Sequence, residues 1–534
     1  MAVTVNTEML TLSTCETTVG WTAHYRSGSA GLAVTVQISD EEVPPKEGTY
    51  CLGFDLDIEN GGYVYGITSA NYSAKLIYIW SFALNASALE SVTNGGVYII
   101  ATDGTNYGYW YVGGNDNYRG GWKCFVADLS RTPNANNGTN PTMSAITGVG
   151  IGFNNTSKSK ATRNMYFDYL RSCDKEQGIF VYTTGGSIAK WSDVYSGDES
   201  ISAGVIRREG GVYFVQGPIT VGSGNLTCQF EDSTQLIVYD NVDVPEGHCK
   251  FKVSGSTTTT TELILGQSSG GRGISGCVFK TAPSGALGVT KRYIFDFTDS
   301  DIDKLQLYGN SFIGSGPQYY PANATNREVI SCNFDSCGLV EPSSCKFQYD
   351  NFITPESGGL LLGTPNHNLS YNTFINCPVA IDMPVSGYYG FNNLSFVSGV
   401  GTYDIQNRSG GGIVVSATDS NPANYKNVGA GSTTSIINTV PLIITVLDED
   451  NNPIETAQVA IYSGVTELMN EDTIADGTAS ADYNYTGDAA VSVRIRKGSA
   501  TDTPKYLPIN SNQTIRSGGL ELTFTLLVDI NNNA

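Results

Sequence analysis

The nine residues LSYNTFINC at 369–377 contain an Asn-x-Phe phrase that returns, with small changes, several times in the chain. Related phrases are LYGNSFIG at 307–314, ISCNFDSC at 330–337 and FQYDNFIT at 347–354. When such stretches are aligned on the phenylalanine, an apolar residue stands five positions earlier in each of them. The first column contains Phe279, Phe312, Phe334, Phe352, Phe374 and Phe396, and the second contains Ile274, Leu307, Val329, Phe347, Leu369 and Phe391.

The distance between the two columns indicates a bent chain. Five is an odd number, so two residues at that separation cannot face the same side of one straight strand. Asparagine recurs between the columns, and it tolerates the left-handed backbone conformation that a bend requires. Successive phenylalanines are 22 residues apart in three of the five intervals, and one such repeat is typical of a coil of a parallel β-helix. The phrase is therefore predicted to be architectural rather than catalytic. The recurring asparagines are Asn310, Asn333, Asn351, Asn372 and Asn393.

This repeat resembles the right-handed single-stranded β-helices of phage tailspikes and pectate-lyase-like proteins. The resemblance implies that the asparagines form a hydrogen-bonded ladder and that the six phenylalanines of the first column stack inside the coils. We expect the parallel β-helix over residues 176–426.

The first part of the chain, residues 1–175, consists of short alternating stretches separated by Gly, Asn and Pro. GVYIIATD at 96–103, ITGVGIGF at 146–153 and NMYFDYLRS at 164–172 are examples, and seven or more such strands predict a β-sandwich. The last two stretches resemble the end of galactose-binding-like jelly rolls. The resemblance implies an N-terminal jelly roll.

The last part of the chain, residues 437–534, opens with PLIITVLDEDNNPIETAQVAIYSG at 441–464, which reads as a strand, an acidic turn and a second strand. In AVSVRIRKG at 490–498 the alternation predicts that Val491, Val493 and Ile495 face a core. This part resembles small Ig-like or transthyretin-like modules. Residues 427–436, rich in Gly and Ser, are predicted to be a linker.

The composition supports an all-β fold and excludes several functions. Charged residues make up 15% of the chain and Gly is abundant, with 61 residues, a mixture that disfavours long helices. The formal net charge of −21 predicts no binding to nucleic acid, because phosphate backbones are repelled. No apolar run approaches the ~20 residues of a membrane span, so no membrane insertion is expected. We also find no export signal, which fits assembly inside a host cytoplasm.

Cysteine and histidine give no sign of a metal or cofactor site. The eleven cysteines include no C-x-x-C pair, and free buried thiols are expected rather than disulfides. His24, His248 and His367 lie in different regions, so neither a metal site nor a catalytic triad is predicted. No cofactor fingerprint occurs.

An enzyme would need paired carboxylates on the wall of the coils, as in glycosidases. The weak candidates for such a pair are Asp335, Asp350 and Glu356. They occupy different positions relative to the phenylalanine column, and Asp350 replaces an asparagine of the ladder. We therefore expect no catalysis, and a tailspike depolymerase acting on host polysaccharide is the alternative.

The stretch NYGYWYVGGNDNYRGGW at 106–122 suggests carbohydrate binding, because sugar rings stack on exposed aromatic side chains. Its candidates are Tyr109, Trp110, Tyr118 and Trp122. In an alternating strand about half of these rings must face the core, so packing and subunit contacts remain the competing interpretation.

The three parts in this order resemble surface proteins of tailed-phage virions. The resemblance implies a non-enzymatic structural protein exposed on the particle as a head decoration, head fibre or tail fibre, with carbohydrate adhesion. It also implies a homotrimer, contacts with a major capsid or tail and baseplate protein, and host surface glycans as partners.

Overall fold

The computed structural model describes residues 3–26, 35–38, 43–54, 60–118, 121–155, 165–183, 188–222, 224–229, 236–239, 250–258, 260–268, 274–281, 294–322, 326–355, 358–485, 488–516 and 518–532. Over these residues the chain is all-β, which confirms the predicted class. The described part contains one α-helix, Trp191–Ser200, and none of its helices has the length and apolar character needed to cross a membrane. Short 3-10 helices occur at Ala86–Ala88, Val92–Asn94, Asn115–Asn117 and Met143–Ala145. The chain divides into two compact units, residues 1–345 and 346–534.

The first unit begins with two antiparallel sheets of six strands each. One sheet has the order Lys123–Asp128, Lys75–Ala83, Met165–Asp174, Tyr50–Phe54 and Thr35–Ile38, with Leu10–Ser13 also paired to Met165–Asp174. The other has the order Ala135–Asn136, Tyr107–Gly113, Val97–Thr102, Ile146–Asn154, Asn60–Ala70 and Trp21–Tyr25.

One apolar core lies between these two sheets. Ile77 and Phe167 enter it from the first sheet, and Ile99 and Ile151 enter it from the second. Glycine in the Ile146–Asn154 strand permits close approach of its neighbour, because a Cβ on Gly150 would lie 1.8 Å from a backbone oxygen. The alternating stretches of the sequence therefore form the strands that were expected.

Three parallel sheets follow in the first unit. The first has the order Ile179–Thr183, Ile219–Val221, Lys250–Val253, Ile294–Asp296, Gln318–Tyr319 and Val340–Glu341, with Val3–Thr7 antiparallel at its edge. The second has the order Ile188–Lys190, Gly224–Gln229, Thr261–Leu265, Lys304–Tyr308 and Arg327–Ile330. The third has the order Ile206–Glu209, Val212–Val215, Leu236–Tyr239, Val278–Thr281, Ser311–Ile313 and Asn333–Asp335, of which the first pair is antiparallel.

The phenylalanine column is in register within the third sheet. Phe279 pairs with Phe312, and Phe312 pairs with Phe334. Their rings are nearly parallel, with centroids 5.4 and 5.1 Å apart. All three side chains are buried, so the predicted stack forms over these residues.

The second column needs one correction. The residue paired with Leu307 is Leu265, not Ile274. Ile274 belongs instead to a two-stranded antiparallel hairpin, Gln267–Ser268 with Ile274–Ser275. The hairpin lies between Leu265 and Phe279, so it separates the true member of the second column from its phenylalanine by more than the usual five residues.

The second unit begins with short parallel strands of the same kind. Three groups of paired strands are Leu360–Leu361, Val379–Met383, Tyr403–Asn407 and Tyr425–Asn427; Lys346–Gln348 and Asn368–Ser370; and Asn351–Ile353, Thr373–Ile375 and Ser395–Val397. In the third group Phe374 stacks between Phe352 and Phe396, with ring centroids 5.0 and 5.1 Å apart. The later members of the predicted stack therefore also pack on one another.

The bends between columns are left-handed, but mostly not at the asparagines. The residue three positions before the phenylalanine has a positive φ: Gly309, Ser331, Tyr349, Tyr371 and Asn393. Of the five asparagines that we expected in this conformation, only Asn393 adopts it. The expectation was wrong because the residue that follows the left-handed one is the one that turns inward, and it is there that an amide side chain forms hydrogen bonds.

That inward position forms the ladder. Asn372 is fully buried, accepts a hydrogen bond from the Asp350 amide at 2.9 Å and donates one to the Phe347 carbonyl at 3.1 Å. Asn310 bonds in the same way, to the Cys277 amide and the Leu265 carbonyl. At the equivalent place Cys332 points its thiol at the Leu307 carbonyl, 3.7 Å away. An amide or a thiol at this bend thus binds one strand to the one before it.

The end of the second unit is built on one long strand, Thr433–Leu447. It pairs in parallel with Gly412–Thr418, which pairs with Gly387–Asn392. Its later half pairs with Thr478–Asn484 and Leu520–Thr525. Residues 433–436 are therefore strand, unlike the linker that was expected, because their backbone groups continue the parallel ladder.

A second antiparallel sheet completes this region, with the order Thr466–Asp472, Gln458–Ser463, Ala489–Arg496 and Ile509–Ile515. Val491, Val493 and Ile495 are buried in the core that it shares with Thr433–Leu447, as the alternation predicted. The ten cysteines in the described part of the chain are buried free thiols, which confirms the prediction for them.

Candidate functional site

A groove in the first unit combines aromatic and basic side chains. Its volume is about 610 Å³. Its lining consists of Lys46, Trp80, Asn117, Gly121, Trp122, Lys123, Cys124, Tyr195, Glu199, Gly204, Ile206, Arg207, Arg208, Glu209 and Gln216. We call this set the basic groove.

Three parts of the fold meet at the basic groove. Trp80 and Lys123 come from neighbouring strands of an antiparallel sheet, Tyr195 and Glu199 from the α-helix, and Arg207 from the strand that follows it. The chain passes between helix and strand at Gly204, whose φ is +74° and where a Cβ would lie 2.5 Å from the Cys124 sulfur. Glycine is required there, because this backbone passes too close to the sheet for a side chain.

The basic side chains are held in place by their neighbours. The Lys46 ammonium lies 4.2 Å from the centre of the Trp80 ring and 3.0 Å from a Glu199 carboxylate oxygen. The Arg207 guanidinium lies 4.4 Å from the Phe214 ring centre and 3.4 Å from a Glu209 oxygen. Packing on aromatic rings restricts the rotamers of these long side chains, so less entropy is lost when they bind a ligand.

The aromatic side chains of the groove are also fixed. The indole nitrogen of Trp80 donates to the Ser202 carbonyl at 2.9 Å, and that of Trp122 donates to the Pro44 carbonyl at 2.8 Å. Trp80 is buried, whereas Trp122 is half-buried and packs at 5.8 Å against Phe82. Because its N–H is occupied, Trp122 can offer a ligand only its apolar ring surface.

A buried acid lies directly behind the groove wall. Asp198 is fully buried and accepts hydrogen bonds from the amides of Val205 and Ile206. Burial raises the pKa of Asp198 to about 7. Burial also raises the pKa of Cys124 to about 12, so that thiol is neutral and not a nucleophile near neutral pH.

Of the four aromatic residues predicted to bind sugar, only Trp122 lines the basic groove. Tyr109 and Trp110 are 1% and 3% exposed, on opposite faces of one strand, so neither offers a ring face to a ligand. Tyr118 donates its hydroxyl to Ser81 at 2.9 Å, and burial raises its pKa. Sugar stacking at these three residues is therefore not supported, because their rings pack within the protein.

The acids proposed as weak catalytic candidates lie elsewhere. Asp335, at the end of a short strand, accepts a hydrogen bond from the Ser336 hydroxyl at 2.8 Å. Asp350 is fully buried at the inward bend position that Asn310 and Asn372 hold in other repeats. Glu356 lies outside the described residues.

The histidines in the described regions serve packing. His24 stacks on Tyr107 with ring centroids 3.8 Å apart and hydrogen-bonds to the Tyr109 hydroxyl. His367 packs beside the Tyr389 ring, 6.1 Å away. Burial lowers the pKa of both histidines to about 4. Over the part of the chain that the structure describes, no three His, Cys, Asp or Glu side chains group to hold a metal ion.

A second cavity, in the other unit, has a volume of about 720 Å³. Its basic side chains are Arg496, Lys497 and Lys505, and its acidic ones are Asp472, Asp502 and Asp529. Lys497 and Asp502 pair with each other at 3.2 Å. Because its charges balance and Tyr506 is the one aromatic residue in its described lining, we consider this cavity a weaker candidate for a ligand site than the basic groove.

The sequence interpretation missed most of the basic groove. Lys46, Trp80 and Arg207 are separated by long stretches of chain, so no local motif contains them. One local signal was present: Arg207 and Arg208 are adjacent in a chain with only 30 basic residues.

No model of a known protein family matches this chain, and no curated protein matches it in sequence.

Proposed function

We propose that this chain is a non-enzymatic structural protein exposed on the surface of a tailed-phage virion, as a head decoration, head fibre or tail fibre. In this proposal the N-terminal sheets are a jelly roll, the parallel strands are coils of a right-handed β-helix, and the C-terminal sheets are an Ig-like module. The in-register phenylalanine pairs and the short parallel strands support the β-helix. The proposed partners are two further copies of the chain, other virion proteins and host glycans.

The observation that carries the non-enzymatic part is the environment of Asp350. A catalytic carboxylate must reach its substrate, and the Asp350 side chain is fully buried at a bend where the same position elsewhere bonds to the backbone. Asp335 is engaged by its neighbouring serine. Both described candidates are thus accounted for by the architecture.

Glycan adhesion is proposed at the basic groove. Trp122 presents ring surface, and Lys and Arg side chains around it can donate hydrogen bonds to sugar oxygens. We propose that this site binds without cleaving, because the two carboxylates of its described lining, Glu199 and Glu209, each pair with a basic side chain.

The cleavage assay separates adhesion from depolymerisation. Purified protein incubated for a long time with capsular polysaccharides and lipopolysaccharides should release no reducing ends and no unsaturated sugars. If products appear, and Asp335→Asn or Asp350→Asn abolishes them at unchanged melting temperature, the chain is a depolymerase and the proposal fails.

Two further measurements test the place and assembly of the protein. Antibody raised against the chain should label the surface of phage particles in electron micrographs, and label confined to particle-free lysate would contradict the proposal. Light scattering should give three times the chain mass of 57.0 kDa. A stable monomer at micromolar concentration would contradict the trimer.

A further inference from the structure

We propose that the basic groove selects anionic saccharides, whose sugars carry carboxylate, sulfate or phosphate groups, over neutral ones. This inference rests on the glycan adhesion proposed above and names the class of glycan. It begins from a contrast of charge: the whole chain has a formal net charge of −21, whereas the described lining of the groove has four basic and two acidic side chains. The basic residues are Lys46, Lys123, Arg207 and Arg208.

The hydrogen-bonding capacity of the groove has the same bias. Lysine and arginine only donate, and an anionic group only accepts, whereas a sugar hydroxyl does both. The Gln216 amide nitrogen already donates to the carbonyls of Cys124 and Gly204, at 3.0 and 2.6 Å. The two acidic side chains, which are the strongest acceptors of the lining, are already paired: Glu199 with Lys46 and Glu209 with Arg207. A ligand rich in acceptors therefore complements the groove better than one that offers as many donors.

The position of Trp122 explains why the anion should be carried by a saccharide. An inorganic anion would use the cations alone, but a sugar ring would also cover the apolar face of Trp122, whose N–H is held by Pro44. The Trp80 ring contacts one of the cations, the Lys46 ammonium, at 4.2 Å. Ring stacking and charge attraction then act on one ligand at the same time.

The expected preference is modest and depends on salt. Exposed ion pairs contribute about 0.2–1 kcal/mol each, so two such contacts favour the anionic ligand by roughly two- to thirtyfold. The screening length falls from about 30 Å at 0.01 M salt to about 8 Å at 0.15 M. The preference should therefore shrink as salt is added, while binding through the Trp122 ring should not.

The test compares two hexasaccharides by isothermal titration calorimetry on the full chain. Hyaluronan hexasaccharide carries carboxylates, and chitohexaose is a neutral counterpart. We expect at least about twofold tighter binding of hyaluronan hexasaccharide at 0.01 M salt, a smaller difference at 0.15 M, and loss of the difference in Arg208→Gln and Lys123→Gln. The control Arg494→Gln removes an exposed arginine of the other unit and should bind both ligands like the wild type.

The outcomes separate the inference from the adhesion on which it rests. If both hexasaccharides bind equally and Trp122→Ala weakens both, the anionic preference is wrong and glycan adhesion stands. If the preference survives Arg208→Gln and Lys123→Gln, it does not arise in the groove and the inference is overturned. If neither hexasaccharide binds at millimolar concentration, the inference and the adhesion both fall. Circular dichroism and melting curves confirm that each variant is folded.

Discussion

Replacement of Asn372 by alanine tests the ladder that joins successive strands. The side chain is fully buried and makes two hydrogen bonds, from the Asp350 amide at 2.9 Å and to the Phe347 carbonyl at 3.1 Å. Each buried hydrogen bond lost with its partner left in the interior costs about 1–3 kcal/mol. The two together give about 2–6 kcal/mol, and we expect about 4 kcal/mol from the middle of that range.

Amide hydrogen exchange measures this cost where it arises. A change of about 4 kcal/mol corresponds to nearly a thousandfold change in an opening equilibrium. The Asp350 amide of Asn372→Ala should therefore exchange faster than in the wild type by up to that factor. The melting temperature should also fall.

The matched control is Asn368→Ala. Asn368 lies four positions before Asn372, in the strand Asn368–Ser370, but is exposed, so its replacement should change stability by no more than about 0.5 kcal/mol. If Asn372→Ala and Asn368→Ala give Asp350 exchange rates within threefold of each other, the asparagine is not a structural bridge. Its recurrence would then need another explanation.

Three further changes test the core and the buried titratable groups. Phe374→Ala should lower the free energy of unfolding by about 3–5 kcal/mol in guanidinium titrations, since Phe374 is 1% exposed, whereas Tyr388→Ala, at a 62% exposed ring, should leave it nearly unchanged. Burial lowers the pKa of His367 to about 4, so as pH falls this histidine is protonated in the unfolded chain before it is protonated in the folded one. Up to about 3 kcal/mol of stability is therefore lost as pH falls from 6.5 to 4, and His367→Phe should remove that loss. Because burial raises the pKa of Asp198 to about 7, up to about 4 kcal/mol is lost as pH rises from 4 to 7, and Asp198→Asn should remove that loss.

Each of these changes has a result that would count against it. An unchanged unfolding midpoint for Phe374→Ala would place its ring outside the core. For His367→Phe, urea titrations give the free energy of unfolding at pH 4.5 and at pH 6.5. If the difference between these two values is the same in His367→Phe as in the wild type, this ring does not titrate on unfolding. For Asp198→Asn the free energy of unfolding is compared at pH 4.5 and pH 7.5. If it depends on pH as strongly as in the wild type, the effect belongs to another acid.

The sequence predicted the repeating core because its signal is periodic. Phe312, Phe334 and Phe374 recur with their apolar partners, and the strands bring them into register as expected. Ile274 was assigned to the second column incorrectly because it lies in an inserted hairpin, and an insertion preserves local composition while shifting the phase of the repeat. Periodicity therefore identifies a stack more reliably than it identifies each of its members.

The α-helix was not predicted, although its sequence contains a signal. Trp191, Val194 and Asp198 are its buried residues, and spacings of three and four are helical. Gly197 and the many polar residues around it hid that pattern, and a buried aspartate does not count as apolar in a hydrophobicity scan. The position of Asp198 depends on amides that lie after the helix, which only the tertiary structure provides.

The ladder explains why the residue type at a bend is a poor guide to function in this chain. Asn310, Cys332, Asp350 and Asn372 differ in chemistry, yet all four are buried at equivalent bends. At Asn310, Cys332 and Asn372 an amide or a thiol meets a backbone carbonyl, whereas Leu394, which follows the left-handed Asn393, is buried and apolar. Functional side chains are better sought where the fold brings together side chains whose charge is opposite to the net charge of the chain. The basic groove meets that criterion, because it concentrates cations in a strongly acidic chain.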